Sequence, residues 1–149
     1  MSTYTQIHIQ VVFAVKNREH LINNSWRSEL YRYITGIIQN HGHRVLAIGG
    51  ADDHVHILFG FNPTQALSNI MRDVKRDSSK WINENKFVHG AFGWQSGYGA
   101  FSYSKSQVAN VVKYIGNQES HHEKHSFFDE YKKILDDLGI MYKEQYLFT

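Results

Sequence analysis

The chain has no cysteine and a single proline among its 149 residues, and its formal net charge is only +2. Without cysteine there is neither a disulfide framework nor a thiolate metal site, a composition that suits a reducing compartment. No apolar run approaches membrane-spanning length, and the N-terminus lacks the charged and apolar regions of a signal peptide, so a soluble, cytoplasmic protein is expected. A net charge of +2 is too small for nucleic-acid binding driven by bulk attraction. Any such contact has to come from local clusters and aromatic stacking. No linker-like or low-complexity stretch divides the chain, and a hydrophobic content of 42% is enough for one substantial core. One domain over residues 1–149 is expected.

The hydrophobic spacing supplies the elements. Ile7, Ile9, Val11, Phe13 and Val15 alternate as a first strand over 7–16. Trp26, Leu30, Tyr33, Ile34, Ile37 and Ile38 then recur at helical spacing up to about Gly42. Residues 44–50 read as a second strand, joined by a turn containing Gly49, Gly50, Asp52 and Asp53 to a third. Asn62 and Pro63 look like the cap and first position of a helix whose core stripe is Leu67, Ile70, Met71, Val74, Ser78 and Trp81. Residues 97–104 supply a fourth strand. Phe127, Phe128, Tyr131, Ile134, Leu135 and Leu138 make a last amphipathic helix, and with Tyr142, Tyr146 and Phe148 they read as packing or partner surface rather than chemistry. The predicted class is α+β: a ferredoxin-like antiparallel sheet with helices packed on one face, plus a C-terminal helix carrying the candidate nucleophile.

Three constellations carry chemistry. In the third strand, His54-Val55-His56 puts two imidazoles on one face while Val55, Ile57 and Phe59 point to the other. Two imidazoles on a rigid support are a common start of a metal site and leave positions for further ligands. Sixty residues on, Ser104 and Gln107 form a capping box for a helix over 105–118 with apolar Val108, Val111, Val112 and Ile115. Tyr114 lies off that stripe, on a polar flank with Gln107, Asn110 and Gln118, and Gln118 is one turn beyond it. The third is a basic edge, Arg72, Lys75, Arg76 and Lys80, read either as solvated surface or as a phosphate contact.

A His-hydrophobic-His strand followed by a helix with Tyr-x-x-x-Gln resembles the HUH single-tyrosine transposases of small bacterial insertion sequences, the insertion-sequence-200-like family. The stretches 7–16, 94–102 and 114–122 agree with it, so the likeness runs along essentially the whole chain. The resemblance implies a metal-dependent single-strand DNA endonuclease and strand transferase acting at hairpin-flanked element ends. In it Tyr114 is the nucleophile forming a 5′-phosphotyrosine, and Mg²⁺ or Mn²⁺ is held by His54, His56 and Gln118, with His121 as the rival third ligand. His122 and His125 go to solvent or DNA contact. It further implies single-stranded DNA with hairpins and a second copy of the chain as partners, with Arg72, Lys75, Arg76 and Lys80 as DNA contacts. Alternatives are a palindrome-associated transposase-like protein, a replication initiator or relaxase, and a domesticated hairpin-binding protein that no longer cuts.

Overall fold

The computed structural model describes residues 1–148, and in it the alternating N-terminal run forms β1 (His8–Ala14). Val15 continues beyond it as an isolated bridge to Trp94. The next element is α1 (Asn24–Asn40), whose start is held by the Asn23 side chain accepting the Ser25 N–H at 2.9 Å. Its end is marked by Gly42 at φ +88°, a left-handed position that glycine takes without steric cost. The hairpin of β2 (Arg44–Gly50) and β3 (His54–Gly60) follows, then α2 (Leu67–Glu84) and β4 (Gly99–Tyr103). Three helices close the chain: α3 (Val108–Gly116), α4 (Gln118–His122) and α5 (Phe127–Asp137).

Two boundaries differ from the sequence expectation. Pro63 does not open α2, whose cap is Ala66. Residues 62–65 are instead tied back to the end of α1: Gln65 Nε2 donates to the His41 carbonyl at 2.9 Å, and the Asn62 N–H donates to His43 Nδ1 at 2.9 Å. The tyrosine helix is not continuous over 105–118 either. It begins as one 3-10 turn under the Ser104–Gln107 capping box and breaks at Asn117, where φ is −97° and ψ 12°. Glycine and asparagine, side by side at 116 and 117, are poor helix formers, and the break falls on them.

The four strands form one antiparallel sheet in the order β2-β3-β1-β4, which is the expected ferredoxin-like arrangement. Register sets Val12 opposite His56 and Ala14 opposite His54. One face carries Val11, Phe13, Val55, Ile57 and Phe59 against Trp26, Leu30, Ile34 and Ile38 of α1 and Ile70, Met71 and Val74 of α2. Burying each such side chain contributes about 1.5–3 kcal/mol, so this face holds the main share of the stability. The opposite face carries Val12, Ala14, Leu58 and both histidines, under Val111 and Ile115 of α3 and Phe127 and Leu135 of α5. The first two helices thus share one face, as expected, and the tyrosine helix lies on the other.

The tyrosine helix sits very close to the sheet edge. A Cβ at Gly49 would lie 2.5 Å from the Ile115 carbonyl oxygen, closer than real Cβ contacts come. Gly49→Ala is therefore expected to push α3 off β2 and lower stability by about 1–3 kcal/mol. A urea titration checks it, and an unchanged midpoint would contradict the close seating.

Candidate active site

Because side chains alternate along β3, His54 and His56 emerge side by side on the smaller core, both fully buried, with ring centroids 5.0 Å apart. Each has its outer nitrogen pinned. His54 Nδ1 lies 2.7 Å from Asp53 Oδ1, and a carboxylate only accepts, so that nitrogen carries the proton. His56 Nδ1 lies 3.0 Å from Gln10 Oε1, and the same amide is oriented by its Nε2, which donates to the Tyr103 hydroxyl at 2.9 Å. Both Nε2 atoms are left facing inward.

The break at Asn117 does not part Tyr114 from Gln118. The Gln118 side chain, 1% exposed, sets its Oε1 2.9 Å from His54 Nε2, and its Nε2 donates to Glu130 Oε2 at 3.1 Å. The Tyr114 hydroxyl donates to the same Glu130 Oε2 at 2.5 Å. His54, His56, Tyr114 and Gln118 therefore meet at one place, drawn from β3, α3 and α4.

Glu130, on the helix expected only to pack, is the residue that joins them. It is 5% exposed, with Oε1 3.0 Å from His56 Nε2 and 3.7 Å from His54 Nε2. Its Oε2 is 3.2 Å from Nε2 of both His121 and His122. A signal for it was present in the sequence: at spacing i, i+3, i+4, i+7 from Phe127, the positions are Glu130, Tyr131 and Ile134, so a carboxylate sits inside the apolar stripe. The assignment of His122 to solvent or DNA is also corrected. Its Nδ1 lies 2.8 Å from the His125 carbonyl, its Nε2 3.1 Å from Gln118 Oε1, and its ring turns inward to lie 4.4 Å, centroid to centroid, from that of His54. His121, the rival ligand, keeps a third of its side chain exposed and pairs with Glu130 at 3.2 Å.

These contacts leave an electron-rich centre. Burial pushes the His56 pKa down to about 4, so this ring is neutral at pH 7 with its Nε2 lone pair aimed at a carboxylate oxygen. His54 Nε2 faces the Gln118 carbonyl oxygen at 2.9 Å, and reversing that amide would only turn its oxygen onto Glu130. Outer N–H groups held by acceptors and inner lone pairs converging with a carboxylate are the arrangement of a metal-binding imidazole cluster. Atoms of His54, His122 and Glu130 lie within 4.8 Å of one another, so the residues present fit a divalent ion. Glu130 is buried, which alone would raise its pKa, but hydrogen bonds from His122 and the Tyr114 hydroxyl hold it well below the usual carboxylate range. Burial lowers the His122 pKa, and the Glu130 carboxylate outweighs that and raises it. For Tyr114, burial first and the Glu130 charge second drive the pKa far upward.

The basic edge is less free than its sequence suggests. Arg72 Nε donates to Asp73 Oδ1 at 3.0 Å, Arg76 Nε to Asp77 Oδ1 at 2.9 Å, and Lys80 lies 3.8 Å from Glu84. Lys75 is a correction: it is part-buried and turned inward, donating to the carbonyls of Gln95 and Gly97, and burial pushes its pKa down to about 8. The edge also lies on α2, across the sheet from the imidazoles.

Replacing Glu130 by Gln keeps the shape and removes the charge beside the phenol. The Tyr114 pKa should fall in Glu130→Gln, because the phenolate no longer forms next to a carboxylate. Titration of ring-labelled tyrosine by NMR reads this, and a Tyr114 pKa that stays put would mean Glu130 does not control it.

Comparison with known proteins gives the family and the fold. The family model described as "Transposase IS200 like" matches residues 3–118, which include His54, His56, Tyr114 and Gln118 and stop short of His122 and Glu130. The ISDra2 transposase TnpA of Deinococcus radiodurans is 24% identical over 124 residues, 80% of this chain and 86% of that protein. Among solved structures, a candidate transposase from Deinococcus radiodurans R1 superposes with a TM-score of 0.64 at 20% identity, covering 79% of this chain and 95% of that one. A REP-associated tyrosine transposase bound to a REP hairpin gives a TM-score of 0.61 at 15% identity, covering 82% and 74%. With the family match extending over residues 3–118, the chain belongs to the IS200-like transposase family.

Proposed function

We propose that this transposase cuts and rejoins single-stranded DNA at hairpin-flanked element ends through a 5′-phosphotyrosine on Tyr114. The observation that supports it most directly is the meeting of the Tyr114 hydroxyl with a buried imidazole pair through one carboxylate. The phenolic oxygen attacks the phosphorus, the Oη–P bond forms and the P–O3′ bond breaks, and the 3′ oxygen leaves and is protonated to a 3′-hydroxyl. The phenolic proton leaves Oη as the bond to phosphorus forms, and one proton ends on the departing 3′ oxygen, so the exchange balances. A phenol whose pKa is raised by burial is not ionised beforehand, so proton loss accompanies the attack. Rejoining is the reverse attack, by a 3′-hydroxyl on the phosphotyrosine, so no ATP is required.

His54, His56 and Gln118 would hold a divalent ion, Mg²⁺ or Mn²⁺, with Glu130 and His122 beside them. When bound, such an ion neutralises and orients a phosphate. The protein residues position everything else. Phe127 stacks on His54 with centroids 4.1 Å apart and planes 9° apart, so α5 has to lift for a phosphate to reach the imidazoles. Arg72, Arg76 and Lys80 are exposed and can hold phosphates of the flanking strand away from the site. The protein acts as a homodimer in the bacterial cytoplasm, and no helix among the described residues is long and apolar enough to cross a membrane. The likeness to a transposase bound to a REP hairpin favours one second reading, in which the hairpins are dispersed palindromes rather than the ends of a mobile element.

Single-stranded hairpin oligonucleotides with Mn²⁺ test the reading. Tyr114→Phe should lose the covalent adduct by roughly 10³-fold or more while still binding DNA and metal. Either His→Ala change at 54 or 56 should abolish both Mn²⁺ binding by calorimetry and cleavage, and a chelator should stop the wild-type protein. Peptide mapping that puts the DNA on any other tyrosine, or equal cleavage of perfect duplex, would overturn the assignment.

A further inference from the structure

A cleft of about 320 Å³ opens beside the nucleophile, between β4 and α3. It is lined by Gln10, Tyr103, Gln107, Asn110, Val111 and Tyr114, and its volume lies at the small end of the range for small-ligand sites. Buried Val111 gives it an apolar patch, and Tyr103 and Tyr114 supply aromatic rings. The Tyr103 ring is fixed, because its hydroxyl accepts from Gln10 Nε2 at 2.9 Å. Amides complete the lining. Gln107 spends its Oε1 on the Ser104 N–H at 2.9 Å, which leaves its amide N–H groups for other partners, and Asn110 makes no side-chain hydrogen bond among the described residues. No carboxylate lines the cleft, so nothing there repels the backbone of a nucleic acid.

Aromatic faces, an apolar patch and amides at the rim match a flat heterocycle with donors and acceptors along its edge. We propose that this cleft is a nucleobase subsite, which takes the unpaired base of the nucleotide next to the scissile phosphate. Asn110 and Gln107 read the edge of that base while Tyr103 stacks on its face. The polar flank that sets Tyr114 apart from a core tyrosine thereby gains a use along its length: one end attacks and the other selects. A paired base has its edge and faces occupied, so the subsite admits only an unpaired one. The inference rests on the proposed cleavage at Tyr114, and it makes that site selective for sequence.

The experiment uses the full chain with Mn²⁺ and single-stranded oligonucleotides carrying each base, or an abasic sugar, on either side of the cleavage point. At one of the two positions the wild-type protein should prefer some bases, and the abasic sugar should lower kcat/KM by about 10- to 100-fold. Asn110→Ala, a change at an exposed residue, should flatten that preference and shrink the abasic effect, while Mn²⁺ binding is unaltered. A wild-type protein indifferent to the abasic sugar at both positions, or an Asn110→Ala protein with its full preference, overturns the subsite. A second reading needs no chemistry: Tyr114→Phe should bind the abasic strand about 10-fold more weakly than the intact one. If the wild-type protein shows the same binding difference yet forms no adduct on either strand, the cleavage reading fails and the subsite stands.

Discussion

The site depends on one buried carboxylate. Glu130 accepts from the Tyr114 hydroxyl and the Gln118 amide and faces the inner nitrogens of His56 and His122, so a single side chain of α5 ties together β3, α3 and α4. A carboxylate buried this deeply is unfavourable unless neighbouring groups satisfy it. Here Oε2 takes the Tyr114 hydroxyl, the Gln118 amide and the His122 ring, which fixes the height of α5 above the sheet as well as the aim of the phenol. Removing the carboxylate would leave four polar groups without their common partner. The same interaction restrains chemistry, since a phenol beside an anion is harder to ionise.

The sheet divides its labour between its faces. α1 and α2 stabilise one face with closely packed Ile, Leu, Val and aromatic side chains and leave it no chemistry. The other face has only a small apolar share and is built around polar groups whose outer hydrogen bonds are satisfied by Asp53, Gln10 and the His125 carbonyl. Strand register is what keeps the faces apart. A slip of one residue in β3 would exchange His54 and His56 for Val55 and Ile57, putting imidazoles in the main core. That main core therefore enforces the geometry of the site without touching it.

The fold was largely legible because its signals are local. Alternation in 8–14 and the glycine at 42 act within a few residues and were read correctly, and the His-x-His spacing determines a face by strand geometry alone. The tyrosine and glutamine were legible for the same reason, as neighbours one turn apart. What escaped was long-range. Pro63 looks like a helix start until Gln65 and Asn62 are seen bonded to the end of α1. Lys75 looks like a free cation until the carbonyls of Gln95 and Gly97 come round to meet it. Glu130 lies 74 residues from His56, and periodicity along α5 reports that it faces inward without saying what it faces.

Closure of α5 also bears on how tightly DNA has to bind. Lifting this helix uncovers Phe127 and Leu135, each buried against the sheet. At about 1.5–3 kcal/mol per side chain, the apolar cost is roughly 3–6 kcal/mol. The electrostatic part is smaller than it looks, because a phosphodiester entering among the imidazoles brings one negative charge as Glu130 withdraws another. An exchange of anions leaves the positive and lone-pair groups of the site in nearly the same field. The apolar term therefore dominates, and it weakens the apparent affinity for the reacting strand by roughly 10²- to 10⁴-fold. A short random single strand has little to offset this. A hairpin held elsewhere on the protein does, because it supplies the scissile phosphate at high effective concentration, so the closed helix turns weak intrinsic access into selectivity for strands that are already anchored.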